Sequence, residues 1–353
     1  MREKPSRENG VMTTEPRKGI ACAGNWVLDF VKVVDLYPPE CSLADITAES
    51  MGGGGCSFNV ALNLAIFDNQ LELYPLGLIG NDSYGDFLVD QFRKYPHVHL
   101  EQLRRTSRAG TSYTDVFNVA STGRRTFFHY RGANRLFSPD DVDLDKLPVE
   151  LFHLGYLNLL DAMYQPDGQF QTVAARFLAQ VRERNIKTSV DLVSEDSNRY
   201  GQIIPPALKF TTYCIINDFE AEKLAGIPIR QDGALILGNL RSIATSILAF
   251  GVDELVVIHF PEGAYLLRKE GGEIGQPSLD LPEGYIVGST GAGDSFCAGV
   301  LYGLHKGWSY EKTLRFAVCA AARNLSDLTT TGGIRPWEEV FEMEKKFPYR
   351  RLL

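Results

Sequence analysis

The chain has 353 residues, a length that allows one large α/β domain with an appendage. At 44% hydrophobic and 23% charged residues it has the balance of a folded globular protein. With 44 acidic against 36 basic side chains the net charge is −8, which gives no electrostatic reason to bind nucleic acid or an anionic membrane surface. No run approaches the roughly 20 apolar residues of a membrane span. An anionic ligand must therefore be held by a local device against the global field.

Residues 1–19 are largely charged and polar, lack the apolar stretch of a signal peptide, and read as a disordered leader before a domain over 20–353. From Ile20 onward, short apolar runs alternate with longer helical patterns. The expected strands are Ile20–Gly24, Leu73–Leu78, Leu151–Leu157, Lys187–Leu192, Tyr213–Asn217 and Leu255–His259. Several are continuous rather than alternating, as in parallel strands covered on both faces. Ser57–Phe67, Gln169–Arg184 and Ala234–Phe250 are the expected helices between them. This alternation predicts an α/β fold with a doubly wound, mostly parallel sheet that binds ligands at the carboxyl ends of its strands. One segment breaks the rhythm: Thr111–Val119 and Arg124–Arg131, rich in Thr, Tyr, Phe and Val, flank Ser121-Thr122-Gly123 and predict a hairpin. Together, segments of about 30–47 and 108–131 form a small β appendage suited to act as a lid. The six cysteines (Cys22, Cys41, Cys56, Cys214, Cys297 and Cys319) include no Cys-x-x-Cys pair. They read as buried thiols in a reducing, cytoplasmic setting.

The strongest chemical signal is Gly288-Ser289-Thr290-Gly291-Ala292-Gly293-Asp294, followed by Phe296, Cys297, Val300, Leu301 and Leu304 at helical spacing. Small residues thus lead the chain into a helix N-terminus, where free amides and the helix dipole hold an anion without a basic side chain. Asp294 stands beside that anion, positioned to take a proton from an attacking hydroxyl; alternatively it only complements the dipole of a capped helix. Neither the P-loop pattern nor Gly-x-Gly-x-x-Gly after a strand occurs. A second cluster, Met51-Gly52-Gly53-Gly54-Gly55, leads into another helix with Asn59, whose amide can both donate to and accept from a polyol. Asp29 follows the first strand. By themselves these two features read equally as a flexible loop and a solvated turn.

In combination, Gly54-Gly55-x-x-x-Asn59, Gly77-x-x-Gly80-x-Asp82-x-x-Gly85, Asn217-x-x-Glu220 and Thr290-Gly291-Ala292-Gly293-Asp294 resemble, in order and spacing, the ribokinase-like (PfkB) carbohydrate kinases over about residues 20–340. The resemblance implies ATP-dependent phosphorylation of a hydroxymethyl group with Mg2+. Asp294 would be the base and the amides of Gly291, Ala292 and Gly293 would hold the migrating phosphoryl group. It implies that Asp29, Gly54, Gly55 and Asn59 bind the sugar, and that Arg131 and Asn134, after the lid, either face the substrate or brace the hinge. Asn217 and Glu220 would organise the phosphates, with Glu220 reaching the metal through water. The same resemblance implies a homodimer joined through the lids.

Two departures stand out. Gly288 occupies a position where the family carries an Asp that helps bind a monovalent cation, so little potassium activation is expected. His259-Phe260-Pro261-Glu262-Gly263 replaces Thr-x-Gly-x-x-Gly and keeps only Gly263; Pro261 removes a donor and fixes φ. His259 either replaces the lost phosphate contact or packs at the strand end. A ketose or pentose is the expected acceptor. The rivals are a nucleoside kinase, in which Phe30, Tyr113 or Phe117 would sandwich a base, and a catalytically weak sugar- or nucleotide-binding regulator.

Overall fold

The computed structural model describes residues 18–195 and 200–351; the expected leader lies outside them except for its last two residues. Nine strands form one sheet in the order Glu273–Pro277, Gly263–Arg268, Leu255–Phe260, Tyr213–Asn217, Lys187–Val190, Val149–Leu154, Gly19–Gly24, Leu73–Gly80, Leu103–Thr106. The last seven in this order run parallel and the first two are antiparallel to their neighbours. The continuous apolar runs are explained by two cores. Ile20 and Cys22 enter the core under the helices Cys56–Phe67, Ala292–His305 and Tyr310–Asn324, whereas Ala21 and Ala23 enter the one under Val173–Glu183 and Leu237–Ala249. Every position of such a strand is buried, so no polar alternation survives.

Val27–Val34, Ile46–Gly54, Ser112–Val119 and Arg125–Tyr130 build a separate four-stranded sheet, the lid. It begins earlier than the expected 30–47. Met51 to Gly54 is strand, not loop, paired antiparallel with Phe30 to Val27. A glycine is required here by close approach: a Cβ on Gly54 would lie 2.0 Å from the Asp29 carboxylate. Alternation within the hairpin is turned over relative to the apolar pattern. Arg125, Phe127 and His129 line a cavity, as does Thr114 opposite His129, while Tyr113, Phe117 and Phe128 lie on the other face. A polar inner face suits a lid over a hydrophilic ligand. The edge strands Leu103–Thr106 and Glu273–Pro277, and Gly263–Arg268 beside the latter, went unread because they are short or continue a hairpin without a strong turn signal.

Candidate active site

From its first strand the chain winds outward through Leu73–Gly80 to Leu103–Thr106, then restarts on the other side of the first strand at Val149–Leu154. Such a switch point opens a crevice beyond the strands' carboxyl ends. Two adjoining cavities lie there, of about 740 and 460 Å³, sharing Ser194, Asn217, His259, Ser289 and Gly293 in their walls. The larger lies beneath the lid. The smaller is an apolar slot between Phe260, Leu279, Phe296 and Leu325.

Asp294 sits in the first turn of the helix Ala292–His305, whose N-cap is Gly291 at φ +79°. That conformation and the Thr330 carbonyl, which a Cβ on Gly291 would meet at 2.3 Å, restrict the position to glycine. The turn is held from behind: the Asn324 amide donates to the Thr290 carbonyl at 2.9 Å and the Thr330 hydroxyl to the Gly53 carbonyl at 2.7 Å. Gly291, Gly293 and Asp294 face the larger cavity and Ala292 the smaller. Asp294 is buried, accepting from Asn59 Nδ2 at 2.7 Å and the Tyr156 hydroxyl at 3.0 Å. Burial raises its pKa above the usual aspartate value, and the two donors oppose the rise. A more basic carboxylate is a better proton acceptor.

Of the residues expected to bind the sugar, Asp29, Gly55, Asn59 and Arg131 line the larger cavity. Gly54 does not; it makes room for Asp29. Nor does Asn134, whose fully buried amide is spent on Trp26, accepting from the backbone N–H and donating to the carbonyl, both at 3.1 Å. Its contacts tie the segment after the lid to Trp26 and leave no amide group open to the cavity. Arg131 donates to Asp161 at 2.6 Å and lies 3.7 Å from Glu195. Phe30, Tyr113 and Phe117 line neither cavity: Phe30 packs on Tyr84 at 5.4 Å and on Tyr113, while Phe117 packs on Phe128.

Asn217 caps the helix Asp218–Ala225, and Glu220 reaches back to its backbone in a capping box. Glu220 also accepts from Ser194 at 2.9 Å, yet burial pushes its pKa up to about 8. His259 packs on Phe296 at 4.9 Å beneath Gly293, and burial lowers its pKa to about 4, so at neutral pH it is an uncharged ring facing both cavities. Pro261 and Glu262 form the turn of a hairpin closed by Phe260 and Gly263. That turn is pinned by Arg230, which grips Glu262 through its two terminal guanidinium nitrogens at 2.9 and 2.8 Å.

Tyr156 and Asp191 escaped the sequence reading, which placed them inside the expected strands Leu151–Leu157 and Lys187–Leu192; the strands end at Leu154 and Val190, and both residues lie just beyond their carboxyl ends. Tyr156 is held at φ +47°, a strained conformation for a residue with a side chain. Its N–H donates to Asp191 Oδ1 at 2.7 Å while its hydroxyl supports Asp294. Asp29, Asp191, Glu220 and Asp294 thus crowd one cavity, and burial raises the pKa of all four, that of Asp29 to about 7.

This crowding has a measurable sign. In the unfolded chain a glutamate titrates near 4.3, whereas folded Glu220 holds its proton to about pH 8, so the folded state binds more protons between these values and stability falls as pH rises. The buried, depressed histidines His129, His153 and His259 act oppositely, but only below about pH 6.5. Between about pH 6.5 and 8 the ligand-free protein should therefore lose stability, with Glu220 contributing on the order of 2 kcal/mol at 1.36 kcal/mol per pKa unit. Denaturant titrations of wild type and Glu220→Gln test this: the variant should show a shallower loss, and equal slopes would remove Glu220 as its source.

The architecture has counterparts among solved structures. Ribokinase from Arabidopsis thaliana complexed with ribose and ATP superposes with a TM-score of 0.76 at 20% identity, covering 93% of this chain and 99% of that one. Fructokinase from Xylella fastidiosa with bound ATP gives 0.72 at 20% identity, covering 94% and 99%. These likenesses define the class as a ribokinase-like α/β protein. A model described as "pfkB family carbohydrate kinase" matches residues 17–336, and the chain belongs to that family. Ketohexokinase from Mus musculus is 24% identical over 309 residues, 87% of this chain and 95% of that protein. The protein is accordingly a phosphotransferase acting on a sugar hydroxyl.

Proposed function

We propose that the protein transfers the γ-phosphoryl group of ATP to the hydroxymethyl group of a monosaccharide, a ketose or a pentose. The observation that carries this reading is the position of Asp294, at a helix N-terminus where a polar cavity under the lid meets an apolar slot. The sugar lies against Asp29, Asn59 and Arg131; the nucleotide base lies in the slot between Phe260 and Leu325. Asp294 takes the proton from the acceptor hydroxyl, whose oxygen forms a bond to phosphorus as the bond to the ADP oxygen breaks. The first amides of the helix, from Gly291 to Gly293, hold the charge of the group in transit. Two of the similar structures are complexes with ATP, and one of them also holds ribose. The absence of Phe30, Tyr113 and Phe117 from the cavity walls favours a sugar over a nucleoside.

The residues present fit a divalent cation. Four crowded carboxylates line one cavity, and Glu220, with most of its oxygen lone pairs spent on Asn217 and Ser194, suits ligation through water. Mg2+ bound with ATP would neutralise phosphate charge there. A monovalent cation fits poorly: a Cβ on Gly288 would lie 2.8 Å from the Asp327 carbonyl, so the backbone occupies the place of a side chain. Replacing Na+ by K+ at constant ionic strength should change turnover less than about twofold; strong, saturable activation would reveal a cation site built from other groups.

The lid has a second role in this reading. Its outer face exposes Met51, Phe128 and Tyr130, each about half accessible, and a small sheet buries such a face poorly alone. A homodimer joined through the lids would cover it. Light scattering at micromolar concentration should show two chains, and Phe128→Glu should shift the protein to one; a wild-type monomer rules the dimer out. A cytoplasmic setting fits six free thiols, although Cys41 is exposed rather than buried. Among the described residues no helix is long and apolar enough to cross a membrane.

An ADP-release screen over ketoses, aldoses and nucleosides tests the function. A sugar that accelerates ADP release well above the basal rate is expected; release stimulated only by nucleosides would overturn the acceptor assignment.

A further inference from the structure

Four side chains from four parts of the chain converge against the wall of the larger cavity. Cys56 opens the helix Cys56–Phe67, His153 stands on the strand Val149–Leu154, Asp191 follows the strand Lys187–Val190, and Cys297 lies on the helix Ala292–His305. All four are buried, and Asp191 and Cys297 also face the cavity. Cys56 Sγ lies 3.3 Å from His153 Nε2 and 2.7 Å from Asp191 Oδ2. His153 Nε2 is 4.0 Å from Asp191 Oδ1 and 4.0 Å from Cys297 Sγ. The ligand atoms of Cys56, His153 and Asp191 all fall within 4.8 Å of one another.

Buried cysteines usually serve as small hydrophobes. Here the Cys56 sulfur instead meets an imidazole and a carboxylate, and sulfur and carboxylate at 2.7 Å need a proton or a cation between them. Donors held at about 2.0–2.3 Å by a tetrahedral ion stand roughly 3.3–3.8 Å apart. The observed separations of 2.7 to 4.0 Å bracket that range. The groups behind the donors suit ligation as well. His153 Nδ1 lies 3.2 Å from the Ser189 hydroxyl, and a proton donated there leaves the Nε2 lone pair facing the cluster. Asp191 Oδ1 accepts the Tyr156 N–H, which leaves Oδ2 for an ion. Two thiols, an imidazole and one carboxylate oxygen form a soft donor set, which selects Zn2+ over the oxygen-seeking Mg2+.

We propose that Cys56, His153, Asp191 and Cys297 bind one Zn2+ ion, admitted through the larger cavity and separate from any Mg2+ that accompanies ATP. The two thiols give up their protons to solvent as the ion binds. With all four positions taken by protein ligands the site is structural and activates no water. Its ion would also bear on the catalytic turn, because Asp191 holds the Tyr156 backbone and the Tyr156 hydroxyl supports Asp294. The proposal goes beyond the phosphotransfer reading and does not depend on it.

The test titrates reduced, chelator-treated protein with Co2+ and then with Zn2+. Wild type should develop thiolate charge-transfer absorption and the intense visible bands of a tetrahedral ion, saturating at one equivalent. Zn2+ should erase these bands and excess Mg2+ should not. Cys56→Ser and Cys297→Ser should each weaken Zn2+ binding at least about a hundredfold, and Ser189→Ala, which removes only the group behind His153, at least about tenfold. Cys41→Ser, which lacks the exposed thiol, should bind as wild type does. Excess Zn2+ should raise the unfolding midpoint of wild type by at least about 3 °C and leave that of Cys297→Ser unmoved. A wild type without the tetrahedral thiolate spectrum would overturn the proposal whether or not the variants fold. A spectrum retained in both Cys56→Ser and Cys297→Ser, or lost in Cys41→Ser, would overturn it too.

Discussion

Asp294→Asn should lower kcat by two to four orders of magnitude while leaving sugar affinity within a few-fold of wild type. General-base catalysis is typically worth about 10²–10⁴, and asparagine keeps the shape: its one oxygen can still accept from Asn59 while its new amide donates to the Tyr156 hydroxyl, but it cannot take a proton at neutral pH. The pH profile should carry the same signature. Because burial raises the Asp294 pKa, the acid limb of wild-type kcat should lie above the range of an ordinary aspartate and should be missing from the residual activity of the variant. Steady-state kinetics with the best acceptor, and sugar binding by calorimetry, separate the two effects. Comparable turnover in both proteins would remove Asp294 from the mechanism.

Gly291→Ala should have the second-largest effect, although it touches no proton. The new Cβ would lie 2.3 Å from the Thr330 carbonyl, on a backbone at φ +79° where side chains are strained. The turn must shift, and with it the amides to which the proposed reaction assigns the phosphoryl group. Loss of one preorganised donor of this kind costs about 10²–10³ in kcat. Sugar affinity should change little, because Asp29 and Asn59 lie on other elements. A variant with near-normal kcat would show that the helix N-terminus does not hold the transferring group.

Much of this was legible from residues that act locally. Gly291 to Asp294, followed by apolar residues at helical spacing, declares a glycine-capped helix entrance, because cap and periodicity are properties of adjacent residues. The parallel strands were legible from continuous apolar runs, which two-sided burial requires. What escaped was decided across the chain. Gly52 and Gly53 become strand because Asp29 and Leu28 pair with them, and no local propensity of glycine predicts that. Asn134 looks like a substrate ligand beside the lid, yet Trp26, 108 positions earlier, takes its whole amide. Tyr156 reaches Asp294 only through a left-handed backbone that its sequence does not announce. Arg125 meets Ser289 across 164 positions, and within the hairpin it reads as one more polar residue.

The central claim is that Asp294 deprotonates a sugar hydroxymethyl group for attack on ATP. Its most direct measurement is phosphorus NMR of the reaction with a sugar labelled with carbon-13 at the hydroxymethyl position. Wild type should produce a phosphomonoester coupled to the labelled carbon in step with ADP, and Asp294→Asn at equal concentration should form it at least about a hundredfold more slowly. Ester on a different carbon, or equal ester from both proteins, would contradict the account.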